Sequence, residues 1–443
     1  MNNYSNLPYR TTILLFIIIL ISCFIPTTTS ATSPPKIKAS AYVLMDYETG
    51  TLLLEGNSNQ ALPPASMTKM MTQYIVLEKI KEGQLAWDEV VTIDHDAALL
   101  NRGGASGVHL QAGEQRTVKE LFMAMSVFSA NDAASSLAIH VAGDETTFVK
   151  WMNLKAQELG LTKTHYRNST GLPPDFYRRP PVVSGKHQMS ARDVAHLARQ
   201  LIHDYPEILS YSAIPKMRFR PGEVKALTLK NTNWMLQGAP YEYTGVDGLK
   251  TGFTAEAGYC FTGTIKHKDL RFITVVMGTD TNRARFAQTA TLLDYGLKEF
   301  QLHEFIRKEH PLPHHQQISI KAGVEEEVTI VPSKTIRLPV RSTERDRYTI
   351  KVDYQKNLYA PLPAQTEVAT ATLYYDGQPV PNVSEVPLVT TERLERADAL
   401  ILWKRSFEQW HAHYTPPIYL FPLIGISLVA MILGLIYFLR KQR

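Results

Sequence analysis

Cysteine is almost missing from this chain. Its 443 residues hold two, Cys23 and Cys260. Once Cys23 is lost with the leader described below, no intrachain disulfide is possible, and stability must come from packing. A strong excess of one charge is also missing. Lys and Arg number 47 against 42 Asp and Glu, a net charge of +5 with no long basic block. That implies mild attraction to anionic surfaces and no nucleic-acid partner. No G-x-S-x-G elbow occurs, which leaves a Ser-His-Asp hydrolase unsupported. The rest is ordinary globular composition, 44% apolar and 20% charged, long enough for two or three domains.

The longest apolar runs lie at the two ends. Residues 1–31 carry an early cation, Arg10, an apolar run from Ile13 to Ile25, then Pro26 and a small-residue stretch ending Thr29-Ser30-Ala31. This is the layout of a signal peptide cleaved after Ala31; an uncleaved anchor is the other reading. Leu20-Ile21-Ser22-Cys23 also fits a lipoprotein cleavage box. At the far end, residues 418–439 are apolar nearly throughout and long enough to span a bilayer. Arg440, Lys441 and Arg443 follow, which predicts a cytoplasmic C-terminus. The expected location is the cytoplasmic membrane, single-pass, with everything between the two ends on the outer side.

Between these ends the pattern changes three times. Ser40–Asp46 and Thr51–Glu55 read as strands around the turn Glu48-Thr49-Gly50. A helix is predicted from Ser66, with Met67, Met70, Met71, Tyr74, Ile75 and Ile80 as its apolar face. Helices follow at about 117–127, 131–142, 145–159 and 190–203; Ser190 and Asp193 resemble a capping box at the last. Strands return at Tyr259–Lys266 and Leu270–Met277, and a helix from Arg283 to Tyr295 closes an α/β or α+β domain over residues 36–300. Residues 300–317 read as linker. His310, His314 and His315 there match no common metal spacing, and no metal or cofactor is expected. Period-2 alternation then predicts a small all-β sandwich over 316–392, with Asp376-Gly377 as a hairpin turn. Residues 396–413 form an amphipathic helix with Trp403, Phe407 and Trp410 on one face, suited either to a membrane interface or to packing on the β domain.

Three short motifs occur in order: Ser66-Met67-Thr68-Lys69, Ser129-Ala130-Asn131 and Lys250-Thr251-Gly252. Alone, each has a bland reading: Ser66 as an N-cap, Asn131 as a turn residue, Lys250 as a strand-end charge. Together they make a mechanism. Lys69 lies one helical turn after Ser66, so its amine reaches the hydroxyl. A serine hydroxyl needs a base to take its proton, and a lysine becomes that base when burial and a second cation lower its pKa. Lys250 is that cation if its strand lies beside the helix. Ser129, expected at a helix N-terminus, can relay a proton to the leaving amine. Asn131 can hydrogen-bond a substrate amide. Thr251 and Gly252 on an edge strand let a peptide pair alongside.

These motifs, with Pro64-Ala65-Ser66-Met67-Thr68-Lys69, Asn168-Ser169-Thr170-Gly171-Leu172, Ser190-Ala191-Arg192-Asp193 and Val246-Asp247-Gly248-Leu249-Lys250-Thr251-Gly252, resemble the serine D-alanyl-D-alanine carboxypeptidases, or low-molecular-mass penicillin-binding proteins. The resemblance covers about residues 36–390. It implies a β-lactamase/DD-peptidase-like domain, helices covering an antiparallel sheet, followed by a small β domain. It implies Ser66 as the acylated nucleophile and Lys69 as its base. The backbone N–H groups of Ser66 and Phe253 would form the oxyanion hole, and Arg285 would lie near the substrate's terminal carboxylate. The substrate would be the peptidoglycan pentapeptide ending in D-Ala-D-Ala, with β-lactams as inhibitors. Two features depart from the family: Phe253 stands where a polar residue often follows K-T-G, and the tail is uniformly apolar where an amphipathic helix is usual. A serine β-lactamase shares fold and motifs, but its commonest class needs a glutamate in an E-x-x-L-N setting, which is absent. A penicillin-binding sensor would need a substantial cytoplasmic part, and only Arg440–Arg443 follow the predicted span.

Overall fold

The chain alternates between segments built for a sheet and segments built for helices. The computed structural model describes residues 33–380, 383, 385–413, 426–427 and 429–433. Strands β1 (Ala41–Asp46) and β2 (Leu52–Gly56) come first. A 3-10 turn, Ala65–Thr68, runs straight into helix α1 (Lys69–Lys81). Helices α2 (Val118–Phe128), α3 (Asn131–Ala142), α4 (Glu145–Glu158) and α5 (Ala191–Asp204) follow. Strands β3 (Val246–Thr254), β4 (Gly258–His267) and β5 (Leu270–Thr279) and helix α6 (Asn282–Glu299) complete this part. The expected helices and strands are all present, with ends displaced by a few residues.

The strands form a five-stranded antiparallel sheet in the order β2-β1-β5-β4-β3. Successive side chains on a strand point to opposite faces. Ala41, Val43, Met45, Ile273, Val275 and Met277 therefore enter one core with α1–α5. Leu44, Phe272 and Val276 enter a second, with Phe286, Leu292 and Leu293 of α6. Because both faces are covered, the strands read as nearly continuous apolar runs. β3 is an edge strand, paired with β4 alone.

Two sequence readings change here. Helix α1 has more than an apolar face: its first nine residues, Lys69 to Leu77, are all buried. A helix surrounded on all sides runs through the core instead of lying on it. Ser190 does cap α5 by accepting from the Asp193 N–H, but the reciprocal half of the box is missing. The Asp193 carboxylate accepts instead from the Lys163 N–H and the Thr164 hydroxyl. A full capping box appears at α2, between Thr117 and Glu120.

The described chain divides into two compact units. One runs to His303 and also includes Leu338–Arg347; the other holds Glu304–Arg337 and the residues from Tyr348 onward. The expected boundaries, 36–300 and 316–392 with a linker between, need correction. Phe300–Ile306 is a strand, with Phe300 and Ile306 buried. Residues 338–347, read as part of the β domain, belong to the first unit. There Arg341 donates to the Tyr295 hydroxyl at 2.6 Å and lies 5.1 Å from the Phe300 ring centre. Alternation in sequence shows that a strand is half-buried, not which neighbour buries it.

The second unit contains β6 (Gln317–Ser319), β7 (Glu327–Pro332), β8 (Tyr348–Tyr354), β9 (Glu367–Tyr375), β10 (Gln378–Pro379) and β11 (Glu385–Thr390). They join as one six-stranded path, β6-β7-β11-β9-β8 with β10 on β9. Asp376 and Gly377 form the expected two-residue turn, both at positive φ. Helix α7 (Ala399–His413) settles neither of its two readings against the other. Arg405 donates to the Gly323 and Val324 carbonyls of the β unit, while Trp403, Phe407 and Trp410 remain exposed. Residues 1–31 lie outside the described residues, as does most of 418–439. Among the described residues no helix is long and apolar enough to cross a membrane.

The Arg341 contacts lead to a measurable expectation. Arg341→Ala should destabilise the first unit by about 1–2 kcal/mol through the lost hydrogen bond and ring contact. In a unit of this size that lowers the thermal midpoint by roughly 2–8 °C, read by calorimetry, with the acylation site intact.

Candidate active site

Ser66, expected to open the α-helix, lies instead in the 3-10 turn, one turn before the helix starts at Lys69. In a 3-10 turn, side chains three residues apart eclipse. Lys69, the first residue of α1, is thereby set over Ser66, with Nζ 3.1 Å from Oγ. Nζ also lies 2.6 Å from Asn131 Oδ1 and 2.8 Å from the Thr170 carbonyl oxygen. Both of those atoms can only accept. A neutral amine has two N–H groups for them and one lone pair left, which faces the Ser66 hydroxyl. Burial, and next the charge of Lys250, hold Lys69 well below the ordinary lysine range, against the opposing pull of Asp132 and Glu145. The amine is fully enclosed, at 0% exposure.

Ser129 is at the end of a helix and not at the start of one. It is the C-cap of α2, in the left-handed region at φ 61°, and α3 starts two residues later. Its Oγ is buried with no hydrogen-bond partner among the described residues. A buried hydroxyl left unpaired is costly, so this one is poised for a group arriving with the substrate. Asn131 has a task beside the one read in sequence. Its amide is engaged at both ends, accepting from Lys69 and donating to the Ser106 carbonyl at 2.8 Å. It holds the lysine.

The K-T-G segment lies on edge strand β3, as expected. Lys250 is buried, and its pKa is pushed down to about 7, by burial first and by Arg285 second. Thr251 donates to the Thr232 hydroxyl at 2.7 Å. Gly252 packs directly on the nucleophile turn. A Cβ there would come within 2.8 Å of the Pro64 carbonyl oxygen and 3.3 Å of the Ser66 nitrogen. Phe253, the next residue, has its side chain 52% exposed and stacked on Tyr259 at 4.2 Å. Arg285 on α6 is buried, and its Nη1 donates to the Gly252 and Cys260 carbonyls at 3.0 and 3.2 Å. Its own bonds brace β3 and β4; its charge acts on Lys250.

Sequence reasoning assigned no role to Asn168–Leu172, which the structure makes a wall of the site. Asn168 Oδ1 accepts from the N–H groups of Thr170 and Gly171, an Asx-type turn that presents the Thr170 carbonyl to Lys69. Glu145 fastens the loop from below, accepting from the Ser169 N–H and hydroxyl, the Ser135 hydroxyl and the Tyr177 hydroxyl. The Asn-Ser-Thr-Gly composition announces a tight turn but not its neighbour. A cavity of about 390 Å³ opens beside this wall, bordered by Ala65, Asn168, Leu172, Thr254 and Glu256.

Residues 28–281 match the family model of D-alanyl-D-alanine carboxypeptidase, more than half of the chain. The chain belongs to the D-alanyl-D-alanine carboxypeptidase family. Residues 300–396 further match the C-terminal domain of penicillin-binding protein 5. The family's curated members include the D-alanyl-D-alanine carboxypeptidase DacF of Bacillus subtilis, 32% identical over 86% of this chain and 92% of its own length. DacA of Escherichia coli is 30% identical over 81% and 84%. Among solved structures, a peptidoglycan synthesis regulatory factor of Streptococcus pneumoniae superposes with a TM-score of 0.72 at 31% identity, covering 82% of this chain and all of that one. Penicillin-binding protein 5 of Haemophilus influenzae gives 0.67 at 28% identity, covering 83% of this chain and all of that one. The low-molecular-mass, two-domain type read from the motifs is thereby established.

In a carboxypeptidase of this kind the two lysines predict a bell-shaped pH dependence of kcat/KM. Activity should fall on the acid side as Lys69 takes up a proton. It should fall on the alkaline side as Lys250 loses its charge, through about pH 7. The charge of Lys250 disfavours protonation of Lys69, so Lys250→Ala should raise the Lys69 pKa. The acid limb of β-lactam acylation should then move to higher pH, as measured by stopped-flow labelling across a pH series.

Proposed function

We propose that this chain is a serine D-alanyl-D-alanine carboxypeptidase that removes the terminal D-alanine from peptidoglycan pentapeptides through an acyl-enzyme on Ser66, and that β-lactams trap that intermediate. The observation that carries this reading is the enclosed Lys69 amine, 3.1 Å from Ser66 Oγ with its other two directions filled by obligate acceptors.

Neutral Lys69 takes the proton as Ser66 Oγ attacks the carbonyl carbon of the penultimate D-alanine. The negative charge developing on oxygen is received by the N–H groups of Ser66 and Phe253, which Gly252 allows to lie close. The proton travels through the Ser129 hydroxyl to the leaving nitrogen, the C–N bond breaks, and free D-alanine departs. Water then attacks the ester, Lys69 takes its proton, and the carbonyl–Oγ bond breaks as Lys69 returns that proton to Oγ, which restores Ser66 and the neutral amine. Lys250 supplies the charge for the substrate's carboxylate, and Arg285 reinforces it from behind, a less direct role than its expected contact. The β-lactamase alternative is not favoured. Asp132 and Glu145, the two carboxylates acting on Lys69, are each filled by structural donors.

The membrane reading belongs to the same proposal. Export by the 1–31 segment and a single span at 418–439 would hold the catalytic unit on the outer face. The exposed Trp403, Phe407 and Trp410 of α7 suit a lipid interface and support it.

Ser66→Ala should abolish both D-alanine release and penicillin labelling; labelling that persists would overturn the assignment. In wild type, mass spectrometry should find a penicillin adduct on the Ser66 peptide that lasts minutes or longer. Rapid recovery with catalytic penicillin hydrolysis would favour the β-lactamase. Truncation before Pro416 should free most of the protein from membranes without loss of catalysis. Residual binding to anionic vesicles, abolished by Trp403→Ala with Phe407→Ala, would place α7 at the lipid surface.

A further inference from the structure

Ala65 occupies a costly conformation. It is a non-glycine residue at φ 48°, immediately before the nucleophile. Its carbonyl oxygen accepts a hydrogen bond from the Thr68 hydroxyl at 2.8 Å. That hydroxyl in turn lies 2.8 Å from His187 Nε2. The other ring nitrogen, Nδ1, accepts from the Arg167 N–H at 3.2 Å. With Nδ1 occupied as an acceptor, the neutral ring carries its proton on Nε2. The chain of donors then has one direction: Arg167 N–H to His187 Nδ1, His187 Nε2–H to Thr68 Oγ1, Thr68 O–H to the Ala65 carbonyl. Burial of the ring, with Arg167 and Lys69 nearby, pushes its pKa down to about 3, so it stays neutral at working pH.

The Ala65 carbonyl and the Ser66 N–H belong to the same peptide plane, and in a trans peptide they point in opposite directions. Holding the carbonyl on Thr68 therefore aims the N–H the other way. Gly252 of β3 lies near that nitrogen: a Cβ there would come within 3.3 Å of it. Gly171 closes the carbonyl side: a Cβ there would come within 1.9 Å of the Ala65 oxygen and 2.8 Å of Thr68 Oγ1. The peptide plane is clamped between two glycines and locked by one hydroxyl.

We propose that Thr68 and His187 are positioning residues that orient the Ser66 N–H as an oxyanion-hole donor. Thr68 is fully buried, and His187 also borders the cavity beside the nucleophile turn. Their effect appears where the oxyanion forms and not where the ground state binds. The inference rests on the carboxypeptidase reading above, and the two are separable because they predict failure in different proteins.

The test compares Thr68→Val, Thr68→Ser, His187→Ala and His187→Gln in the full chain. Each is measured for the acylation rate with a penicillin, the KM for a D-Ala-D-Ala peptide and the affinity for a D-alanine boronic acid analogue, whose tetrahedral adduct places an oxygen in the hole. Thr68→Val is nearly isosteric but cannot donate; it should slow acylation and weaken boronate binding by about 10- to 100-fold, with KM changed by less than about twofold. Thr68→Ser keeps the hydroxyl and should recover most of the loss. His187→Gln, able to donate to Thr68, should exceed His187→Ala. Equal losses in Thr68→Val and Thr68→Ser would show a packing role and overturn the proposal. Unchanged boronate affinity in Thr68→Val would overturn it too. If Thr68→Val does not fold, the His187 pair decides by the same criteria. Wild type that is never acylated would instead remove the carboxypeptidase reading itself.

Discussion

The site depends on one ammonium group being unable to reach water. Lys69 starts a helix whose first two and a half turns are wholly enclosed, and the pull of Asp132 and Glu145 on its charge does not offset that burial. Its partners are an amide oxygen, a backbone carbonyl and a hydroxyl. Such neighbours satisfy a neutral amine's hydrogen atoms without compensating a full charge. Lys250 adds a like charge from the adjacent strand. A base of ordinary lysine strength would be protonated and idle; burial turns it into one matched to a serine proton.

Everything around Lys69 serves to keep that geometry rigid. Asn131 begins α3, and the left-handed residue Ser129 closes α2 just before it, so one tight link between helices sets both side chains on the site. The Asn168–Leu172 loop supplies a carbonyl and is tied down by a buried glutamate. The nucleophile turn sits between Gly171 and Gly252, where any Cβ would collide with backbone. Rigidity of this kind matters because oxyanion donors must already point at the developing charge; a donor that reorients during the reaction loses most of its effect.

Electrostatics follows the same layout. Two cations, Lys250 of β3 and Arg285 of α6, approach the site from one side, and the oxygens of two carboxylates, Asp132 and Glu145, are occupied by N–H and O–H groups. The face open to substrate is therefore electropositive at its carboxylate end. Phe253 adds an exposed ring stacked on Tyr259 along the same edge strand, giving the departure from the family's usual polar residue an apolar surface in place of a hydrogen-bonding one.

Much of this was legible in residues alone. Alternation located the strands, the spacing of Ser66 and Lys69 placed the amine within reach of the hydroxyl, and the isolated Lys250-Thr251-Gly252 marked an edge strand, because local periodicity and one-turn distances are properties of short segments. Tertiary structure decided the rest. It made Asn131 a holder of Lys69, turned Arg285 toward the Gly252 and Cys260 carbonyls of the sheet, placed residues 338–347 with the first unit and built a wall of the site from Asn168–Leu172. It also fixed the degree of burial of Lys69, on which the chemistry turns. Each of these is a meeting of segments far apart in the chain, and a sequence records which groups a segment carries, not which distant groups will enclose them.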